Sequence, residues 1–331
     1  MIDSHSASRG QSWRQTLAHH APFSLLRHLA KPAMLCSCYH IVADSAPAHI
    51  RHLFAPRGIQ EFERDLEFFA RHFRAIHPQA ASGLFERPAL TRPGGFLVTF
   101  DDGLREAFEI AAPILKRRGI RAVFFINSAF VDNRTLFYRH KASLLIEALS
   151  AANSPSQRSR VSQYLTDGGI QAATPEAGVL AIGYDNRHHL DALAALLEVD
   201  FADYLLRQRP YMTTAQIRQL AADGHRIGAH SVDHPPFEAL SAAEQLRQFE
   251  ESLDFVREQF ASPQPWFAFP FHAKGLAPQL LERSLSRGTT LFTTAGCGAH
   301  AATRAVDRIT MERPGCAQTL VNLALLKSLL Q

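Results

Sequence analysis

Short apolar runs alternate along this chain with segments whose apolar residues recur at helical spacing, and no other feature limits its fold as much. Met34–His40 reads as a buried strand, and Ile59–Phe73 then sets Phe62, Leu66, Phe69 and Phe73 on one helix face. Phe96–Phe100 is the next expected strand, Leu104–Arg118 the next helix with Gly119 at its end, and Ala122–Ile126 a third strand rich in Val, Phe and Ile. After a long interruption the pattern resumes. Thr213 and Thr214 offer an N-cap to a helix ending at Ala222, Asp223 and Gly224 make a turn, and Arg226–Ala229 is a strand. Ala242–Phe260, Trp266–Phe269, Pro278–Ser286 and Thr289–Thr294 continue the alternation; Ile309–Met311 is one more expected strand and Ala317–Leu330 a closing helix. Strands separated by helices pair in parallel through right-handed crossovers, and this many units predicts a barrel or partial barrel.

With 331 residues the chain exceeds the common domain size, so one main domain with an insertion is expected: an N-terminal extension over 1–33, then a catalytic domain over 34–331 interrupted by a helical insertion at about 133–212. The insertion holds the helical stretches Leu144–Leu149 and Leu190–Leu197 and a Ser-rich polar piece, Asn153–Ser162. A cap over a cleft and a peripheral elaboration both fit it. A 46% hydrophobic composition supplies a large core, and a net charge of +4 with scattered basic residues argues against nucleic-acid binding. Cys36, Cys38, Cys297 and Cys316 are too few for a disulfide framework and read as reduced thiols. The polar N-terminus and the charges at His19, His20, Arg27 and Lys31 predict neither a signal peptide nor a transmembrane segment, and hence a cytoplasmic protein. Ser12–Leu29 is expected to pack on the main domain, with peripheral membrane contact as the other reading.

The chemistry sits at strand ends. Gly95–Val98 runs into Thr99-Phe100-Asp101-Asp102-Gly103, which delivers two adjacent carboxylates, and Arg226–Ala229 runs into His230-Ser231-Val232-Asp233-His234. Alone, the acidic pair reads as a complement to a helix dipole and the histidines as core or surface residues; together, one carboxylate and two imidazoles suit a three-ligand catalytic metal site. In a barrel, residues at the C-terminal ends of different strands converge on one cleft. A divalent ion there, zinc, iron or cobalt, with a carboxylate beside it as general base, fits hydrolysis of an amide or ester. Arg187-His188-His189, inside the insertion, reads as a solvated polar face.

At these residues the chain resembles the NodB-type polysaccharide deacetylases, carbohydrate esterase family four, whose first motif is TFDDG and whose second is His-Ser/Thr-x-x-His. The resemblance runs from about Leu35 to Met311 and leaves Asn133–Met212 unmatched. It implies a distorted, incomplete (β/α) barrel, Asp101 as base, Asp102, His230 and His234 as metal ligands, and removal of acetyl from an N-acetylated sugar. Tyr39-His40 looks like the Tyr-His that ends the first strand in several branches of the family. Pro270-Phe271 looks like the Pro-aromatic of the third motif, whose backbone amide helps hold the oxyanion. Three departures stand out. Ala268 occupies the place of the arginine that positions the catalytic aspartate, so something else must orient Asp101. His272 replaces the glycine after the aromatic. No Leu-x-His supplies the general acid, for which His40 is preferred, then His272, then His300.

The expected protein is thus a metal-dependent N-deacetylase, acting on a glycan or a lipid-linked or nucleotide-linked glycan precursor. Two alternatives accompany it: a metal-dependent hydrolase of a small non-sugar amide, and a catalytically impaired, metal-retaining carbohydrate-binding protein.

Overall fold

The computed structural model describes residues 18–32, 34–79, 94–152, 154–262 and 264–330. Among these, ten strands form one sheet: β1 Met34–Tyr39, β2 Arg74–Ala75, β3 Gly95–Phe100, β4 Ala122–Ile126, β5 Arg226–Ala229, β6 Trp266–Ala268, β7 Thr290–Thr293, β8 Gly298–His300, β9 Ala305–Asp307 and β10 Ile309–Thr310. Their order is β10-β1-β3-β4-β5-β6-β7-β9-β8, with β2 beside β3. Every pairing is parallel except the β8–β9 hairpin. The ends of this order carry the key to its shape. β9 and β10 lie on opposite flanks of the sheet, yet Arg308 alone joins them in the chain, so the sheet must curl until its flanks approach. The fold is the expected incomplete (β/α) barrel.

Strand residues alternate between two buried faces. Cys36, Leu97, Val123, Phe125, Trp266, Ala268, Phe292 and Val306 fill the barrel interior, while Leu35, Tyr39, Phe96, Val98, Phe100 and Phe124 pack outward against helices such as Ile59–His72 and Ala242–Phe260. Burial on both sides explains why the strands read as continuous apolar runs. Gly228 is a point of close approach: a Cβ there would lie 2.5 Å from the Phe125 ring and 3.1 Å from the Trp266 carbonyl oxygen. Gly228→Ala is expected to cost about 1–3 kcal/mol, visible as a lower urea midpoint with an unchanged m-value.

Several elements differ from expectation. Leu104–Arg118 is not one α-helix: Ala107–Ala111 forms a π-turn before the α-helical Ala112–Arg117. Pro113 lacks an N–H and its ring crowds the carbonyl four residues back, which a wider turn accommodates. The Ser-rich piece is helical, Pro155–Asp167, because Ser154 caps it by accepting the Gln157 N–H and Pro155 suits the first helical position. Pro175–Ala181 and Phe201–Gln208 are further insertion helices. β2, β8 and β9 are too short to show a periodic pattern.

The N-terminal stretch belongs to the main body from residue 18 on. Helix Phe23–Ala30 buries Phe23 against Phe68 and Phe73, and Asn322 on helix Ala317–Leu329 donates to the carbonyls of Ala18, at 2.8 Å, and Ala21, at 3.0 Å. The beginning of the Ser12–Leu29 segment lies outside the described residues. No helix among the described residues is long and apolar enough to cross a membrane.

The insertion has a second core of its own, including Leu145, Leu149, Leu190 and Leu193. That core also takes in Ile41, Leu104 and Phe130, which follow β1, β3 and β4. The Met212 N–H bonds the Gly103 carbonyl at 2.9 Å. The insertion therefore sits at the C-terminal ends of the strands, on the cleft side of the barrel.

Candidate active site

β3 hands the chain to Asp101, whose N–H continues the ladder to the Tyr39 carbonyl at 2.8 Å. The next two residues turn sharply, Asp102 at φ 69° and Gly103 at φ 67°, with Ile126 3.2 Å from where a Gly103 Cβ would stand. After β5 the same happens at Ser231, φ 68°, and His234, φ 62°, and after β6 at Phe271, φ 56°. Left-handed conformations of non-glycine residues persist only where their surroundings hold them. Here Ser231 Oγ accepts the His234 N–H at 3.0 Å, Asn127 donates to the His230 carbonyl and to Ser231 Oγ, and Gln248 accepts the N–H groups of Val232 and Asp233.

The loops after β3 and β5 bring Asp102, His230 and His234 together, one donor atom of each lying within 4.8 Å of the others, all buried. Asp102 Oδ1 stands 3.4 Å from His230 Nε2 and 3.2 Å from His234 Nε2. Whether these residues suit a cation is decided by where their protons are. His230 Nδ1 lies 2.8 Å from the Ala268 carbonyl, which only accepts, so Nδ1 carries a proton, and Nε2, which faces Asp102, is the atom that offers a lone pair when the ring is neutral. Burial would raise the Asp102 carboxyl, but His234 and His230 outweigh it and hold it well below the ordinary carboxylate range. Burial lowers His234, against the opposing pull of Asp102. Asp102 Oδ1 has no hydrogen-bond partner. That buried oxygen, 3.2 and 3.4 Å from the Nε2 atoms of two imidazoles, fits a divalent ion once both rings are neutral.

Asp101 lies beside this group, its Oδ2 3.8 Å from His230 Nε2, and is held by Arg308. The guanidinium is fully buried and grips the carboxylate with both forks, Nη1 to Oδ1 at 2.6 Å and Nη2 to Oδ2 at 2.8 Å. It also donates to Thr99 Oγ1 and lies over the rings of Phe125 and Phe292, in the interior that Ala268 shares. Burial favours a protonated Asp101, but Arg308 and then His230 overcome it and depress its pKa. The residue that orients Asp101 thus comes from the β9–β10 junction, and no local pattern in the sequence announces it.

His40 and Glu312 form a second pair that sequence reasoning missed. Glu312 accepts the backbone N–H groups of His40 and Ile41 and faces His40 Nδ1 at 3.2 Å. Burial pulls the His40 pKa down, but Glu312, Asp102 and Asp101 raise it to about 10. One donor atom each of Cys38, His40 and Asp101 lie within 4.8 Å of one another.

The other candidates fall differently. Phe271 packs edge-on against His234, ring centroids 4.7 Å apart, and is 43% exposed. Phe137 of the insertion lies on the same ring, at 4.4 Å. His272 turns instead toward Glu238, at 3.5 Å, and His300 sits on the hairpin, bonded to Asp307 at 2.9 Å. Tyr39 is a correction: its side chain faces the helix layer, where its hydroxyl donates to Asp65 at 3.0 Å and Arg57 completes the network. Strand alternation explains this, since Cys38 takes the inward position beside Asp101.

A family model described as polysaccharide deacetylase matches residues 91–280, more than half of the chain. That span includes Asp101, Asp102, His230, His234 and Phe271 but not His40, Arg308 or Glu312. No curated protein sequence matches significantly. Among solved structures, the Streptococcus pyogenes deacetylase PplD in complex with acetate superposes with a TM-score of 0.58 at 14% identity, over 88% of this chain and 97% of that one. IcaB from Ammonifex degensii gives 0.55 at 18%, over 89% and 97%. The de-N-acetylase from Aggregatibacter actinomycetemcomitans gives 0.51 at 15%, over 86% and 97%. At these identities the likeness concerns the fold.

Proposed function

We propose that this chain, which belongs to the polysaccharide deacetylase family of carbon–nitrogen hydrolases, removes N-acetyl groups from an amino sugar in a glycan or glycan precursor, with one divalent ion, zinc first and iron or cobalt next, held by Asp102, His230 and His234. The observation that carries this reading is the buried carboxylate–imidazole group beside a second carboxylate that Arg308 holds through both oxygens. An ion at this position would supply Lewis-acid polarisation of the amide carbonyl and a more acidic water. Asp101 takes the proton from the attacking water, its two oxygens oriented by Arg308. His40, charged and steered through Nδ1 by Glu312, returns a proton to the departing sugar amine. The Phe271 backbone amide is assigned to the developing oxyanion. A lipid-linked or nucleotide-linked precursor in the cytoplasm is the proposed setting.

The test is acetate release by the zinc-loaded protein from a panel of N-acetylated sugars and glycan precursors, with a chelator-treated sample alongside. Release that stops on chelation and returns with added metal supports the reading; no release from any member, with zinc bound, overturns it. A narrower expectation concerns the general acid. His40→Gln should lower kcat by about 10²-fold on an N-acetyl sugar, and much less on an acetate ester whose leaving group needs no proton. The alkaline fall in kcat/KM, as pH rises through the acid's pKa, should disappear with it. His272→Gln should do neither, and a reversed pattern would move the acid to His272.

A further inference from the structure

The two imidazoles of the candidate metal centre are held in different ways. His230 is fixed through Nδ1 by the Ala268 carbonyl at 2.8 Å, the arrangement that orients most ligand histidines. His234 Nδ1 is buried and bonds no group of another residue. The χ2 torsion of a histidine is broad, so a ring without such a bond turns unless packing stops it. Two phenyl rings stop this one: Phe137 lies over it with centroids 4.4 Å apart and the planes tilted by 51°, and Phe271 meets it edge-on at 4.7 Å. Phe271 is 43% exposed, whereas Phe137 is buried, so Phe137 is the firmer wall.

Phe137 is itself held by the two ends of the insertion. Its N–H donates to the Tyr211 hydroxyl at 2.9 Å, and the same hydroxyl faces His140 Nδ1 at 2.7 Å. Phe130 stacks on the Tyr211 ring at 5.0 Å and lies 6.0 Å from the Phe137 ring. The Asn133 side chain completes the joint, accepting the Tyr211 N–H at 2.9 Å and donating to the Tyr211 carbonyl at 3.0 Å. Asn133 stands where the chain enters the insertion and Tyr211 where it leaves, so the ring against His234 hangs on a clasp that joins entry to exit.

We propose that Phe137 is a positioning residue for the metal: the closed insertion presses it against His234 and keeps that ring's Nε2 toward Asp102, doing for this ligand what the Ala268 carbonyl does for His230, so that the affinity of the centre for its ion depends on the clasp. The inference rests on the metal site assigned above and not on the identity of the substrate. Zinc affinity, measured by competition with a chromophoric chelator, and the visible spectrum of the cobalt-loaded protein test it. Phe137→Ala should weaken zinc binding about tenfold or more and change the cobalt spectrum. Phe137→Leu, which restores bulk without a flat ring, should lose less. Tyr211→Phe removes only the hydroxyl that holds the Phe137 N–H and should move both readouts the same way, which decides the matter if Phe137→Ala does not fold. Leu193→Ala opens a cavity in the insertion core on helix His188–Leu197; it should lower the melting temperature, leave zinc affinity within about twofold of wild type and leave the spectrum unchanged. Zinc affinity within about twofold of wild type in both Phe137→Ala and Tyr211→Phe, or an equal loss in Leu193→Ala, overturns the positioning role and leaves the metal site standing. Wild-type protein that binds no zinc overturns the metal site and this inference with it. Zinc affinity that depends on Phe137 without acetate release from any substrate overturns the deacetylase and keeps the clasp.

Discussion

Asp101→Asn is expected to lower turnover by about 10³-fold or more while leaving the metal content unchanged. The amide keeps the volume and one acceptor oxygen but cannot take a proton from water. It also sets an NH2 group against one fork of Arg308, where the carboxylate accepts through both oxygens. Metal binding should survive because the clustered donors are Asp102, His230 and His234, whereas both Asp101 oxygens are taken by Arg308. Metal analysis beside an acetate assay reads both quantities on one preparation. Activity within about tenfold of wild type in the loaded variant, at or below the low end of what general-base catalysis contributes, would remove Asp101 from that role.

Arg308→Ala is expected to be nearly as damaging, and to show itself in stability as well as rate. Removing one partner of a buried ion pair leaves the other uncompensated and typically costs about 3–5 kcal/mol. The pH dependence identifies the cause. Asp101 is depressed in the folded protein, so its contribution to stability is present above its unfolded pKa and is lost as pH falls through the folded value. Without Arg308, burial pushes Asp101 upward, so the stability deficit of the variant should begin to shrink as pH falls through that raised value, above about 4. It should go on shrinking below about 4 as the wild type loses its own Asp101 contribution. The acid limb of kcat/KM, which tracks ionisation of the base, should move to higher pH in the same variant. Arg308→Lys keeps the charge without the double fork and should recover part of the stability and less of the rate. Denaturant melts at several pH values and a pH–rate profile check both points. A variant within about 1 kcal/mol of wild type, with an unmoved acid limb, would show that Asp101 is oriented by other means.

The two acidic residues and the two histidines were legible because each pair lies within five residues of sequence, directly after an apolar run that could only be a strand. Helices such as Pro278–Ser286 and Ala242–Phe260 were legible to their ends because caps and prolines act within one turn. The broken helix after Gly103, by contrast, depended on how Pro113 is accommodated, and the orientation of Tyr39 on which strand face turns inward. The place of the insertion was open in sequence because an apolar helix face shows that it will be buried but not against which surface.

Local order along the chain thus determined the strand–helix alternation, the barrel class and the four residues at the strand ends, since each rests on interactions between neighbours. Arg308 and Glu312 were decided only by tertiary structure. They lie 207 and 272 residues from the groups they hold, Asp101 and His40, and nothing in their own surroundings marks them. β10 pairs in parallel with β1, Ser37 opposite Ile309, while β9 pairs with β7 on the far flank. Closing the sheet around that junction buries one guanidinium and one carboxylate where the cleft needs them, and a long-range closure of this kind leaves no periodic trace in sequence.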